Sequence, residues 1–139
     1  MSRAKSVHHV NIQITDRERT KAWYENVFGA EVITRGTRGQ LQAHFGTWEI
    51  HFSETSDFIK TPLVHFAVEI DNWESMLDNL DRLGITYGKT VGLGRAGTFR
   101  EQLGGDDPSQ GRRQYDGSYY TYMQDPDGNV IELVYHPEA

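Results

Sequence analysis

The sequence predicts an α+β fold: two βαβββ units forming a curved mixed sheet around a concave polar face. Three observations predict it. The phrase His9-Val10-Asn11-Ile12-Gln13-Ile14-Thr15-Asp16 is echoed 56 positions later by His65-Phe66-Ala67-Val68-Glu69-Ile70-Asp71-Asn72. In both phrases apolar and polar residues alternate, the period of a strand that buries one face. A helical pattern follows each phrase, and the glycines that end those patterns, Gly29 and Gly84, are 55 positions apart, within one residue of the strand offset.

In the first unit, residues 7–15 are the opening strand and Asp16 is the N-cap of the helix. Trp23, Tyr24, Val27 and Phe28 make its apolar stripe, and Gly29 stops it. Strands follow at residues 31–35, 40–45 and 48–53. Gly46-Thr47 suits a two-residue turn with Gly leading, which pairs Phe45 with Trp48 and sets Gln42 opposite His51. In the second unit, residues 63–70 are the opening strand, and Asp71 with Glu74 resembles a capping box. Trp73, Met76, Leu77, Leu80 and Leu83 supply the helix stripe, closed by Gly84. Short strands are expected at residues 85–90, 117–123 and 129–135. Asp125-Pro126-Asp127-Gly128-Asn129 suits a three-residue loop, a type I turn with Pro first and Gly in the left-handed position. Pairing Asp125 with Asn129 sets Tyr122 opposite Glu132 on one face. The units thus span about residues 5–54 and 62–136 of a single domain, 1–139, joined by the polar stretch 54–62 that Pro62 closes.

A chain of 139 residues can bury a proper core, and its 37% hydrophobic content is that of an ordinary water-soluble domain. No run approaches a membrane span, and no apolar leader is visible, so a membrane partner is not expected. The absence of cysteine excludes disulfide and thiolate chemistry and fits a cytoplasmic location. A formal net charge of −6 argues against a nucleic-acid partner, because phosphate backbones select basic surfaces. The exception is the Gly-rich segment 91–116, which holds Arg95, Arg100, Arg112 and Arg113. It is expected to act as a lid that brings positive charge to an anionic substrate. Within it, Gly92-Leu93-Gly94-Arg95-Ala96-Gly97 lacks the Lys-Ser/Thr ending of a phosphate-cradling loop.

The polar faces of the opening strands carry His9, Asn11 and Gln13 in one unit and His65, Ala67 and Glu69 in the other. Such faces must line water, a metal or a ligand. In the closing strands, Ile50-His51-Phe52 sits where Ile131-Glu132-Leu133 sits in the second unit. His9, His51, His65 and Glu132 therefore hold equivalent positions in equivalent units. Imidazole and carboxylate are good donors for Zn, Ni, Mn or Fe, so one divalent metal ion is the expected cofactor. Glu132, Tyr122 and His51 are the candidate catalytic groups; Asn11, Gln13, Gln42, Arg112 and Arg113 are candidate substrate contacts. His8 alternates onto the apolar side and reads as structural. His44 either shares the cavity face with Gln40 and Gln42 or is solvated, and His136 reads as uninvolved. Asp125 and Asp127 read as turn formers, Trp23 and Trp73 as core.

These residues resemble those of the vicinal oxygen chelate superfamily, which includes glyoxalase I, extradiol ring-cleaving dioxygenases, and fosfomycin and bleomycin resistance proteins. The resemblance covers nearly the whole chain through its paired units. His9 matches the family's first-strand metal ligand, and His65 the ligand that opens the second unit. Glu132, within Asp125-Pro126-Asp127-Gly128-Asn129-Val130-Ile131-Glu132, matches its most recognisable signature. His51 falls where glyoxalase I-like members often carry a fourth ligand, commonly Glu, so His there is a departure. Tyr122 matches an active-site Tyr of extradiol and fosfomycin-modifying members.

The resemblance implies a small-molecule substrate, a homodimer, and units assembled either within one chain or exchanged between chains. It implies first a glyoxalase I-like lyase or isomerase, in which a Lewis-acidic metal assists proton transfer on a small oxygenated substrate. The opening strand lacks the arginine such enzymes use for glutathione, which speaks against that substrate. An extradiol Fe(II) dioxygenase built on His9, His65 and Glu132 is the second reading, with a bound His51 occupying one of the open sites it needs. Fosfomycin modification is disfavoured, because Asn11 stands where a threonine is expected and no C-terminal arginine of that subfamily follows. Non-catalytic drug or metabolite binding, as in bleomycin resistance proteins, is disfavoured by the complete ligand set.

Overall fold

Alternating strands, capped helices and tight turns organise the chain into two units, residues 1–59 and 60–139, in a computed structural model that describes residues 2–59, 64–88, 111–112 and 117–137. The first unit runs β1 (His9–Ile14), α1 (Arg17–Phe28), β2 (Glu31–Arg35), β3 (Gln40–Phe45) and β4 (Trp48–Glu54). Its sheet has the order β1-β4-β3-β2, with β1 parallel to β4 and the other neighbours antiparallel. Helix α1 begins where the Asp16 carboxylate accepts the Arg19 amide at 3.0 Å, satisfying a backbone donor the helix leaves orphaned. It ends at Gly29, whose left-handed backbone (φ 62°) lets its N–H close on the Glu25 carbonyl. Thr20, Tyr24 and Val27 are the buried residues of the helix. They pack with Ile14, Leu41, Ala43, Ile50 and Phe52 in the core of the unit, where the Tyr24 ring meets Phe52 edge-on at 4.9 Å.

Trp23, expected in the core, is only half-buried and lies edge-on against Tyr24 and Phe28. One residue off the Thr20–Tyr24–Val27 line, it is turned roughly 100° around the helix to the rim of the buried stripe. The Gly46-Thr47 turn holds the expected register, Phe45 with Trp48 and Gln42 with His51.

The second unit runs β5 (His65–Glu69), α2 (Trp73–Leu83), β6 (Tyr87–Gly88), β7 (Gly111–Arg112), β8 (Tyr119–Gln124) and β9 (Val130–Tyr135). Its sheet has the order β5-β9-β8-β6, β7 pairing with β8 beside β6; β5 and β9 are parallel. The N-cap of α2 is Asn72, not Asp71: the Asn72 side chain accepts the Ser75 amide at 3.0 Å. Asn caps as well as Asp, and the Asn72 carbonyl takes the first helical bond, from Met76. Trp73, Leu77 and Leu80 are the buried residues of α2; with Ile70, Tyr87, Met123, Ile131 and Leu133 they form the core of this unit.

The β8–β9 turn is held by Asp125, which is buried and accepts from the Asp127 amide (3.0 Å), the Asn129 amide (2.9 Å) and the Asn129 side chain (2.9 Å). Gly128 sits at φ 89°, where L side chains are strained. Tyr122 consequently faces Glu132 across the hairpin.

Two expectations about the strands change. Of the strand expected at 85–90, only Tyr87–Gly88 pairs among the described residues, and 89–90 lie outside them. Gly111–Arg112, expected inside a long lid, instead forms β7 against Tyr119 and Tyr120. The rest of the expected lid that precedes it, and residues 113–116, lie outside the described residues. No helix among the described residues is long and apolar enough to cross a membrane.

Candidate functional site

In the first unit, the parallel register sets His9 opposite Glu49 and Asn11 opposite His51. His9 and His51 are thus diagonal neighbours, and their rings stack at 3.8 Å with 12° between planes. Glu49 is the hub of this face. One of its oxygens lies 2.9 Å from His51 Nε2 and the other 3.9 Å from His8 Nε2. The hydrogen bond from His51 holds the Glu49 carboxyl below the usual carboxylate range against the opposing effect of burial, with His44 and His8 adding to the lowering. His8 does not turn to the apolar side as expected. It precedes β1, so strand alternation does not govern it, and its Nδ1 lies 2.9 Å from His9 Nδ1.

The neighbouring strands complete the polar face. Gln42, buried and opposite His51, pairs its oxygen with His44 Nε2 at 3.1 Å and donates its amide to Gln40 at 2.9 Å. His44 therefore belongs to the row of Gln40 and Gln42. The Ser53 hydroxyl donates to Asn11 Oδ1 at 2.8 Å. Gln13 accepts from the Ile59 amide at 2.9 Å, so this expected substrate contact anchors the chain that leaves β4.

The second unit repeats the diagonal. His65 stands opposite Val130 and Ala67 opposite Glu132, and His65 Nε2 lies 3.2 Å from Glu132 Oε2. Glu132 is 6% exposed. A carboxylate only accepts, so the imidazole nitrogen facing it carries the proton. A buried carboxylate and an imidazole nitrogen converging on that proton are a donor pair of the kind a divalent metal takes in its place. The ring of Tyr122 meets His65 edge-on at 5.6 Å and Tyr120 at 5.9 Å. His136, expected to be uninvolved, pairs its Nδ1 with Glu69 at 2.6 Å. Arg112 lies in β7 opposite Tyr119, and Arg113 lies outside the described residues. Among the described residues no three His, Asp or Glu side chains form a ready metal-holding group. Each unit supplies its own pair.

The sequence model of the Glyoxalase/Bleomycin resistance protein/Dioxygenase superfamily matches residues 6–133. The chain belongs to this superfamily. One relative is the metallothiol transferase FosB of Lysinibacillus sphaericus, 25% identical over 87 residues that cover 58% of this chain and 61% of that protein. A solved Bacillus anthracis structure assigned to the glyoxalase family matches with a TM-score of 0.74, 20% identity and 98% of both chains covered. A variant of the fosfomycin resistance protein FosX of Listeria monocytogenes, complexed with Mn(II) and 1S,2S-dihydroxypropylphosphonic acid, matches with a TM-score of 0.66. It is 17% identical, with 94% of this chain and 90% of that chain covered. At such identities the solved structures show the superfamily's fold. The sequence reading took His8 as structural and gave Glu49 no role, although its i, i+2 spacing to His51 puts both on one face of β4.

Proposed function

We propose that the chain is a divalent-metal-dependent enzyme that moves a proton on a small oxygenated substrate, as glyoxalase I-like lyases and isomerases do. His9, His65 and Glu132, with His51, supply the metal ligands. The observation that carries the reading is the repeated donor pair: His9 with His51 and His65 with Glu132, set at the same diagonal of a parallel strand pair in each unit. When bound, the metal supplies Lewis-acid polarisation of a substrate oxygen. The Tyr122 hydroxyl donates a hydrogen bond to the negative charge that develops on the substrate. Glu132 is the group that accepts and returns the proton, with His51 taking that part where its free nitrogen is not held by the metal; both are nearly withdrawn from solvent. Asn11 and Gln42 present the amides that orient the substrate beside His51. A homodimer and a cytoplasmic setting go with this reading, and the absence of cysteine fits the latter.

A second reading, metallothiol transfer or other fosfomycin modification, is favoured by the sequence match to FosB and opposed by Asn11 in place of the expected threonine. The deciding experiment loads the protein with Mn, Zn, Ni or Fe(II) and assays hemithioacetals, catechols and fosfomycin with and without thiols, following oxygen uptake. Turnover of a hemithioacetal or related carbonyl compound without oxygen consumption is expected. Fe(II)-only activity with stoichiometric oxygen uptake would install the extradiol reading, and thiol-dependent loss of fosfomycin the second one. Tight binding of a panel compound without turnover would leave a binding protein.

A further inference from the structure

We propose that Glu49 is a positioning residue that fixes the tautomer of His51, the imidazole on which the His9 ring stacks. The proposal rests on the reading that His9 and His51 belong to the working site. Glu49 is not demanded by the fold: the strand position opposite the opening histidine carries Val130 in the second unit. Its side chain keeps 18% of its surface exposed and packs in no core. What it does is accept. One oxygen takes the Nε2–H of His51 at 2.9 Å, and because a carboxylate has no proton to give, the lone pair of the neutral ring lies on Nδ1. The other oxygen lies 3.9 Å from Nε2 of the exposed His8, beyond hydrogen-bond reach.

The stacking of His9 on His51 keeps the two rings nearly parallel. The carboxylate thereby decides which nitrogen His51 offers to a metal or a substrate. Ligating histidines are ordinarily oriented by such an outer carboxylate, whose loss costs about tenfold or more in metal affinity. The second unit has no counterpart, because Glu132 itself stands at the position of His51 and faces His65.

The test is nitrogen NMR of 15N-histidine-labelled, metal-free protein at about pH 8, above the ordinary imidazole range. Wild type is expected to show His51 protonated on Nε2. Glu49→Ala is expected to give mixed tautomers at His51 with an unchanged backbone amide spectrum, and Glu49→Gln, which keeps an acceptor oxygen, to restore the wild-type tautomer. His8→Ala should leave the His51 tautomer as it was, because the 2.9 Å bond to Glu49 does not pass through His8. His51 protonated on Nδ1 in wild type, or tautomers indifferent to Glu49→Ala, would overturn the proposal. In parallel, titration with Co(II) alone is expected to show about tenfold weaker binding in Glu49→Ala, with an altered visible spectrum and unchanged stoichiometry. Unaltered affinity and spectrum would overturn Glu49's role toward the metal. If wild type takes up no Co(II), the metalloenzyme reading fails, while the tautomer measurement still decides the proposal.

Discussion

At the scale of single residues, the weight falls on Glu132, His51 and Tyr122. Glu132 is buried and faces His65 at 3.2 Å, so removing its carboxylate deletes the proposed anionic donor and its hydrogen bond with the imidazole. Glu132→Ala is expected to lose most of the bound divalent metal, read by elemental analysis of purified protein; full stoichiometric metal would refute the ligand assignment. His51→Ala should weaken binding less, because it is a fourth donor beside the proposed set of two imidazoles and a carboxylate. Tyr122 is partly exposed and sits edge-on to His65. If its hydroxyl steadies charge that develops in the transition state, Tyr122→Phe should lower kcat by about a hundredfold with little change in KM. An unchanged kcat would leave Tyr122 as a packing partner of Tyr120.

At the scale of elements, the turn between β8 and β9 and the start of α2 carry testable energetics. The Asp125 carboxylate satisfies two backbone amides and one side-chain amide from within the turn. Asp125→Ala leaves those partly buried donors without it and is expected to cost about 1–3 kcal/mol in denaturant unfolding. The same hairpin positions Tyr122 against Glu132, so metal affinity should fall along with stability. For α2, Asn72→Ala should cost about 1 kcal/mol while Asp71→Ala costs little, the reverse of what a capping box at Asp71 requires. Equal losses in the two variants would mean that both side chains share the cap.

At the scale of the whole molecule, each unit has its own sheet, its own capped helix and its own donor pair. A ligand that binds only the folded protein raises its stability by about 2.7 kcal/mol at a concentration of 100 Kd. Addition of a divalent metal is therefore expected to raise the Tm, chelation to lower it again, and Glu132→Ala to abolish the shift. A Tm that ignores metal in wild type would count against metal ligands drawn from the folded units.

Much of this was legible before folding because it is written locally. Alternation along β1 and β5, the Asp16 cap, the glycine stops and the two hairpin registers each depend on a few neighbouring residues and their hydrogen-bond chemistry. The paired positions of His51 and Glu132 followed from the repeat of those local signals. The tertiary structure decided what local chemistry leaves open. No turn sets the parallel register of β1 on β4, since the strands are joined through a helix and two further strands; packing sets it, and it alone brings Glu49 opposite His9. His8 joined that face because β1 begins one residue after it. Trp23 went to the rim and Gln13 to the chain after β4 for the same reason: burial and backbone demand are properties of the assembled unit. The sequence by itself determined which side chains each face carries, and tertiary packing decided which of them meet.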